Sequence, residues 1–294
     1  MPTPPPPPPL HAASTQNGAA AATILFIRLP RESPRPKTAS SYHLASHAVP
    51  IKADGERLAL PPLGPPPTGS ASMTGPLASI RTWIFDLDNT LYPAGANLFA
   101  HIDQRMTGFV ADLLQVDRVE AHRIQKAYFH GHGTTLAGLM AEHDVDPHAF
   151  LNYVHDIEMD ALEHDAPLAA AIARLPGRKL VFTNGDTPYA LRVLERLGLG
   201  GSFEAVHDIH AMGLRPKPHA SAYAGLCAAF DLDPTTCLFA EDMARNLRPA
   251  KAIGMTTLWV DNGSEQGPPD GDLDFIDYRT PALAPWLESI LETA

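Results

Sequence analysis

The chain has 294 residues, a net charge of −11, 45% hydrophobic residues and two cysteines, Cys227 and Cys237. The charge is uneven: residues 1–72 hold six Lys/Arg and three Asp/Glu, so +3, while the other 16 bases and 30 acids leave −14. An acidic body argues against a nucleic-acid polymer as partner, because backbone binding needs clustered Lys/Arg, and the two cysteines form neither a CxxC pair nor a disulfide framework.

Residues 1–72 carry 16 of the 30 prolines, in "PTPPPPPPL", "RLPRESPRP" and "PPLGPPPTG". Such a stretch cannot bury enough apolar surface to offset its ordering entropy and is expected as a disordered tail. A proline-rich ligand for a recognition domain is the functional alternative. The apolar run "AAAATILFI" is too short to span a bilayer and has no basic segment before it. No membrane partner is therefore expected, and a cytoplasmic location with reduced thiols is. Met73 is an alternative start, close ahead of the first strand.

The segment "TWIFDLD" (82–88) reads as a buried strand that ends in two aspartates one residue apart. From Ala94 to Arg174 the period changes to helical. "LFAHIDQRMTGFVADLLQV" puts Leu98, Ile102, Met106, Phe109, Leu113 and Leu114 on one stripe, and "VEAHRIQKAYF", "TLAGLMAEH", "DPHAFLNYVHDI" and "PLAAAIARL" follow with the same period. An all-helical block (94–174) inserted straight after the first strand is expected to form a lid. Beyond it, "KLVFTNG", "FEAVHDI", "TCLFAED" and "TTLWV" alternate with amphipathic segments. That is the βαβ pattern of an α/β fold, a parallel sheet covered by helices, here built from 80–93 and 175–265. Residues 266–294 are expected as an extension ending in one helix.

In such sheets ligands bind beyond the carboxyl ends of the strands, and the polar residues of interest fall there. Asp86 and Asp88 face the same side of an extended backbone. One carboxylate of such a pair can bind a hard cation and attack an electrophile while the other moves a proton; a single such Asp would read as a turn or cap residue. Thr183-Asn184-Gly185 offers a hydroxyl and turn N–H groups for phosphate oxygens, or else an ordinary ST-turn. Lys217, between two prolines in "RPKPH", can neutralise a carboxylate and a phosphoryl oxygen together, or be a solvated surface lysine. Glu241-Asp242 supply hard oxygen ligands for Mg²⁺, or an acid pair at a helix start. In the helical block, the Gly-rich polar stretch "YFHGHGTT" breaks the helical period, and its His132 and Thr134 are candidates to touch a substrate. His130-Gly131-His132 lacks the second ligand pair of a zinc site.

Together "FDLDNT", "FTNG", "RPKP" and "EDMARN", in this order, resemble the four motifs of the haloacid dehalogenase superfamily. The insert after the first motif resembles that superfamily's helical-cap branch. "DLDNTLYP", "GTTLAGL" and "EDMARNLRPA" resemble its pyrimidine 5′-nucleotidase group. The resemblance implies a Rossmann-like core and a Mg²⁺-dependent phosphomonoester hydrolase acting on a small phosphorylated substrate, a nucleoside monophosphate. Asp86 would attack phosphorus and form an aspartyl-phosphate, and Asp88 would move the proton. Thr183 and Lys217 would hold the phosphoryl oxygens, with Asn184 among the substrate-binding residues. Asp86, Asp88 (through its backbone carbonyl), Asp242 and Glu241 would hold the metal, with Glu241 standing where many relatives have Asp. Asn246 would have a supporting role. A phosphoglycolate-type or general sugar phosphatase is the nearest alternative. A phosphomutase is a further one, as is a 2-haloacid dehalogenase, which needs neither a metal nor a second Asp at the position of Asp88. A non-catalytic binding protein is disfavoured because every motif position holds a competent residue.

Overall fold

The computed structural model describes residues 75–264 and 272–292. The proline-rich stretch 1–72 and Met73 lie outside the described residues. Among the described residues six strands form one sheet: β1 (Thr82–Phe85), β2 (Arg178–Phe182), β3 (Ala205–His207), β4 (Cys237–Glu241), β5 (Thr256–Val260) and β6 (Tyr278–Thr280). Their spatial order is β3-β2-β1-β4-β5-β6, and every pairing is parallel.

β1 is the reference strand. It pairs with β2 on one side and β4 on the other, with Phe85 opposite Val181 and Ala240. Trp83, Ile84 and Phe85 are fully buried, as are Phe182 and Phe239. A parallel strand covered on both faces reads as a continuous apolar run rather than an alternating one, which is how "TWIF" appears in the sequence. Burying side chains of this size contributes about 1.5–3 kcal/mol each, so the sheet centre is the firmest part of the framework.

The helices are α1 (Leu98–Leu114), α2 (Arg118–His132), α3 (Thr135–His143), α4 (Pro147–His155), α5 (Ala166–Arg174), α6 (Thr187–Arg196), α7 (Ala220–Phe230), α8 (Ala244–Ala252) and α9 (Leu283–Glu292). The starts of α2 to α6 share one device: Asp117, Thr134, Asp146, Asp165 and Asp186 each accept a hydrogen bond from a first-turn N–H, satisfying donors the helix leaves unpaired. Helices α1 to α4 pack on one another. Phe109 meets Phe150 edge-on at 5.1 Å, and α3 approaches α2 so closely that a Cβ on Gly138 would lie 2.4 Å from Tyr128.

Three features depart from the periodicity. On α1, Val110 is buried while Leu113, in the last turn, is 41% exposed. The helix α5 has α9 as its main partner rather than α1 to α4, so residues 94–174 are not one packing unit. The third is β6, which joins the sheet beyond β5 and is tied to it through Asp277, whose Oδ2 accepts from the Thr257 N–H at 2.9 Å.

Candidate active site

Asp86 follows β1, Thr183 follows β2, and Glu241 ends β4 with Asp242 next. Because β1 lies between β2 and β4, all four residues arrive at the same edge of the sheet. Carboxylate oxygens of Asp86, Glu241 and Asp242 lie within 4.8 Å of one another, and all three residues are buried.

Lys217 comes to this cluster from the loop before α7. Its ammonium has three hydrogens, and each finds an acceptor: Asp86 Oδ1 at 2.6 Å, Glu241 Oε2 at 2.6 Å and the Phe182 carbonyl at 2.8 Å. The residue is 1% exposed, so a surface role is ruled out. Asn184 explains how the loop is held. Its Oδ1 accepts from the Lys217 N–H at 2.8 Å and its Nδ2 donates to the Lys217 carbonyl at 3.2 Å. The Asn184 side chain thus clamps the Lys217 backbone from both sides. Thr183 is buried, and its hydroxyl accepts from the Gly185 N–H at 3.0 Å.

The electrostatics follow from crowding. Three carboxylates and one ammonium leave a formal charge of −2 in a buried space. Burial raises Asp86 most, the Glu241 charge adds to it, and the Lys217 ammonium pulls the other way without winning; Asp86 ends at about 7. Asp242 is pushed well above its ordinary value by burial, then by Glu241 and Asp86. Burial alone would lower Lys217, but Asp86 and Glu241 more than offset it and hold the ammonium charged. Hard oxygen donors around an unbalanced −2 suit one divalent cation. Glu241 is the least available of the three, since Lys217 holds Oε2 and the Met243 N–H donates to Oε1 at 3.2 Å.

Asp88 is separate. Its carboxylate does not join the acidic cluster; its Oδ1 accepts from the Tyr92 hydroxyl at 2.6 Å and the Tyr189 hydroxyl at 2.5 Å. Tyr92 lies four residues after Asp88, within "DLDNTLYP", but Tyr189 lies 101 residues from it and outside the four motifs.

Two residues of the helical block have local partners instead. His132 lies 3.9 Å from Glu142 and edge-on to Tyr128, and the Thr134 hydroxyl caps α3 by accepting from the Ala137 N–H at 3.1 Å. Their own turn nonetheless meets the core: a Cβ on Gly133 would lie 4.0 Å from Pro216 of the lysine loop. Nearby, Arg245 at the start of α8 lies over the Phe129 ring at 4.3 Å. Asn246 is buried, and its carbonyl accepts from the Tyr223 hydroxyl at 2.6 Å.

Residues 80–254 match the family described as haloacid dehalogenase-like hydrolase. Phosphate metabolism protein 8 of Saccharomyces cerevisiae is 25% identical over 192 residues, and the match spans 60% of each chain. Among solved structures, a HAD phosphatase from Thermococcus onnurineus superposes with a TM-score of 0.50 at 16% identity, covering 72% of this chain and 98% of that one. An L-2-haloacid dehalogenase from Xanthobacter autotrophicus gives a TM-score of 0.44 at 20% identity, over 73% of this chain and 100% of that one.

Proposed function

The chain belongs to the haloacid dehalogenase-like hydrolases, and from that membership we propose that it hydrolyses phosphate monoesters through an aspartyl-phosphate on Asp86. The observation that carries this reading is the buried meeting of Asp86, Lys217, Glu241 and Asp242 at the strand ends. The yeast relative named for phosphate metabolism is consistent with it. The motifs around Asp88, Thr134 and Glu241 further suggest pyrimidine nucleoside monophosphates as substrates.

In this reading each residue has a separate role. Lys217 holds Asp86 Oδ1, so Oδ2 is the oxygen that attacks phosphorus while the ester P–O bond breaks. Asp88 gives the leaving oxygen a proton. It then accepts one from the water that displaces phosphate from Asp86. The Thr183 hydroxyl, which accepts from Gly185, keeps its hydrogen for a phosphoryl oxygen. Mg²⁺ would be held by Asp86 and Asp242 with the Asp88 carbonyl, and Glu241 would serve mainly to anchor Lys217. When bound, the cation offsets the negative charge of the carboxylates and the transferring group.

The test is phosphate release with and without Mg²⁺ from UMP, CMP, dUMP, AMP, phosphoglycolate and hexose phosphates. Preference for the pyrimidine nucleotides is expected, and a flat profile would defeat the specificity. Asp86→Asn should abolish turnover, because an amide cannot form the acyl phosphate; substantial residual Mg²⁺-dependent release would remove Asp86 as nucleophile. Chloride release from 2-chloropropionate, with none of phosphate, would favour a dehalogenase instead.

A further inference from the structure

Asp88 is held by one edge. Tyr92, at the turn where the chain leaves the sheet, and Tyr189, in the first turn of α6, both donate to its Oδ1, at 2.6 and 2.5 Å. Two donors on one oxygen fix the plane of the carboxyl and leave Oδ2 as the oxygen neither phenol engages. The two phenol oxygens are 3.4 Å apart, and the residues are 2% and 1% exposed, so water does not compete freely for the contact.

Tyr189 is itself braced. Its N–H donates to Asp186 Oδ1 at 3.2 Å, and the His155 ring stacks on its phenol at 4.2 Å with 14° between the planes. His155 Nδ1 lies 2.9 Å from the same Asp186 oxygen. Arg192 then secures the end of α4, donating to the carbonyls of His155 at 2.9 Å and Ile157 at 2.7 Å. His155 and Asp186 are both buried. The support thus runs from Asp186 through His155 and Tyr189 to Asp88.

We propose that Tyr92 and Tyr189 are positioning residues that aim Asp88 Oδ2 at the leaving oxygen, with the His155–Asp186 pair bracing Tyr189 from the helical block. This rests on the phosphatase reading above. It predicts an effect that depends on the leaving group. A ribose oxygen leaves poorly without a proton, whereas p-nitrophenolate departs unaided.

Tyr189→Phe and Tyr92→Phe delete one hydroxyl each and keep the rings. The experiment compares kcat/KM for a nucleoside monophosphate and for p-nitrophenyl phosphate in the Mg²⁺-loaded protein, with Tm recorded for each variant. General acid–base catalysis contributes about 10²–10⁴-fold, so each variant should lose at least about tenfold more on the nucleotide than on the nitrophenyl ester. Equal losses on both esters, or none on either, would overturn the inference while leaving the phosphatase reading intact. Wild-type protein that releases phosphate from neither ester would overturn that reading and this inference with it.

Discussion

Charge at single residues decides how this molecule answers to pH. Asp86 and His207 are shifted in opposite directions for the same reason, burial. Asp86 rises to about 7, so the folded state keeps a proton that the unfolded chain has released, and its contribution to stability declines as pH climbs towards 7. His207 is 2% exposed, neither ring nitrogen has a partner, and burial lowers it to about 4. The unfolded chain then takes a proton, at its usual value of about 6.5, that the folded state refuses. Stability from this residue is therefore present above about 6.5 and is lost as pH falls towards 4. Its ring lies among Phe182 and Phe230, at 5.7 and 5.9 Å. An apolar replacement such as His207→Leu should be near neutral at neutral pH and should retain more of its Tm at about pH 5 than the wild type does. Paired melting curves at the two pH values check this, and an equal acid-induced drop in both proteins would refute it.

The same scale shows how far the site can be read from sequence. The meeting of Asp86, Thr183, Glu241 and Asp242 is legible because each abuts an apolar run and parallel strands bring such ends together. From its own residues Lys217 is legible as a candidate cation in a stiff loop, and the "RPKP" resemblance places it with the phosphoryl group. What draws it inward is Asn184, 33 residues away, and no local pattern carries that contact. Half of the tyrosine clasp is hidden for the same reason: Tyr92 is four residues from Asp88, while Tyr189 is 101 residues away. His132 and Thr134 stand out by composition, yet Glu142 and the α3 cap account for the contacts they make.

Among the elements, strand and helix identity follows from period, but membership in a layer does not. β6 is three residues long with no apolar run, so periodicity has nothing to detect; Asp277 and the edge of β5 make it a strand. The helical period of α5 is as clear as that of its neighbours, and only its contact with α9 separates it from α1 to α4. The entry to β2 depends on one glycine. Gly177 has φ +80, and a Cβ there would lie 2.2 Å from the Arg81 carbonyl oxygen, which accepts the Arg178 N–H at 2.9 Å. A non-glycine residue in this conformation costs about 1–3 kcal/mol before any clash. Gly177→Ala should therefore lower Tm by several degrees, at about 2–4 °C per kcal/mol for a domain of this size. An unchanged Tm would show that the β1–β2 junction yields without strain.

At the scale of the whole molecule, the proposed cation binding would be linked to acidity. A metal held by Asp86 and Asp242 would compete with protons there, since both carboxyls hold protons above their ordinary range in the absence of a cation. Mg²⁺ should raise Tm more at about pH 8, where no proton has to be displaced from Asp86, than at about pH 5. Calorimetry or dye-based melting with millimolar MgCl₂ at both pH values measures it. A larger shift at the acid end would argue against these carboxylates as the cation's ligands. Among the described residues no helix is long and apolar enough to cross a membrane.

The pairing of β1 with β2 has a consequence for what lies between them. The two strands are parallel, with Arg178 opposite Thr82, so the segment that leaves the sheet after Asp86 has to cross to the other end of the sheet before it can enter β2. For a flexible closed loop, each doubling of length adds only about 0.6 kcal/mol of closure entropy. Closure entropy alone therefore sets little limit on how many residues make that crossing. Added length among α1 to α4, which pack on one another, adds little closure cost, whereas α5 is tied to α9 and belongs to the crossing itself.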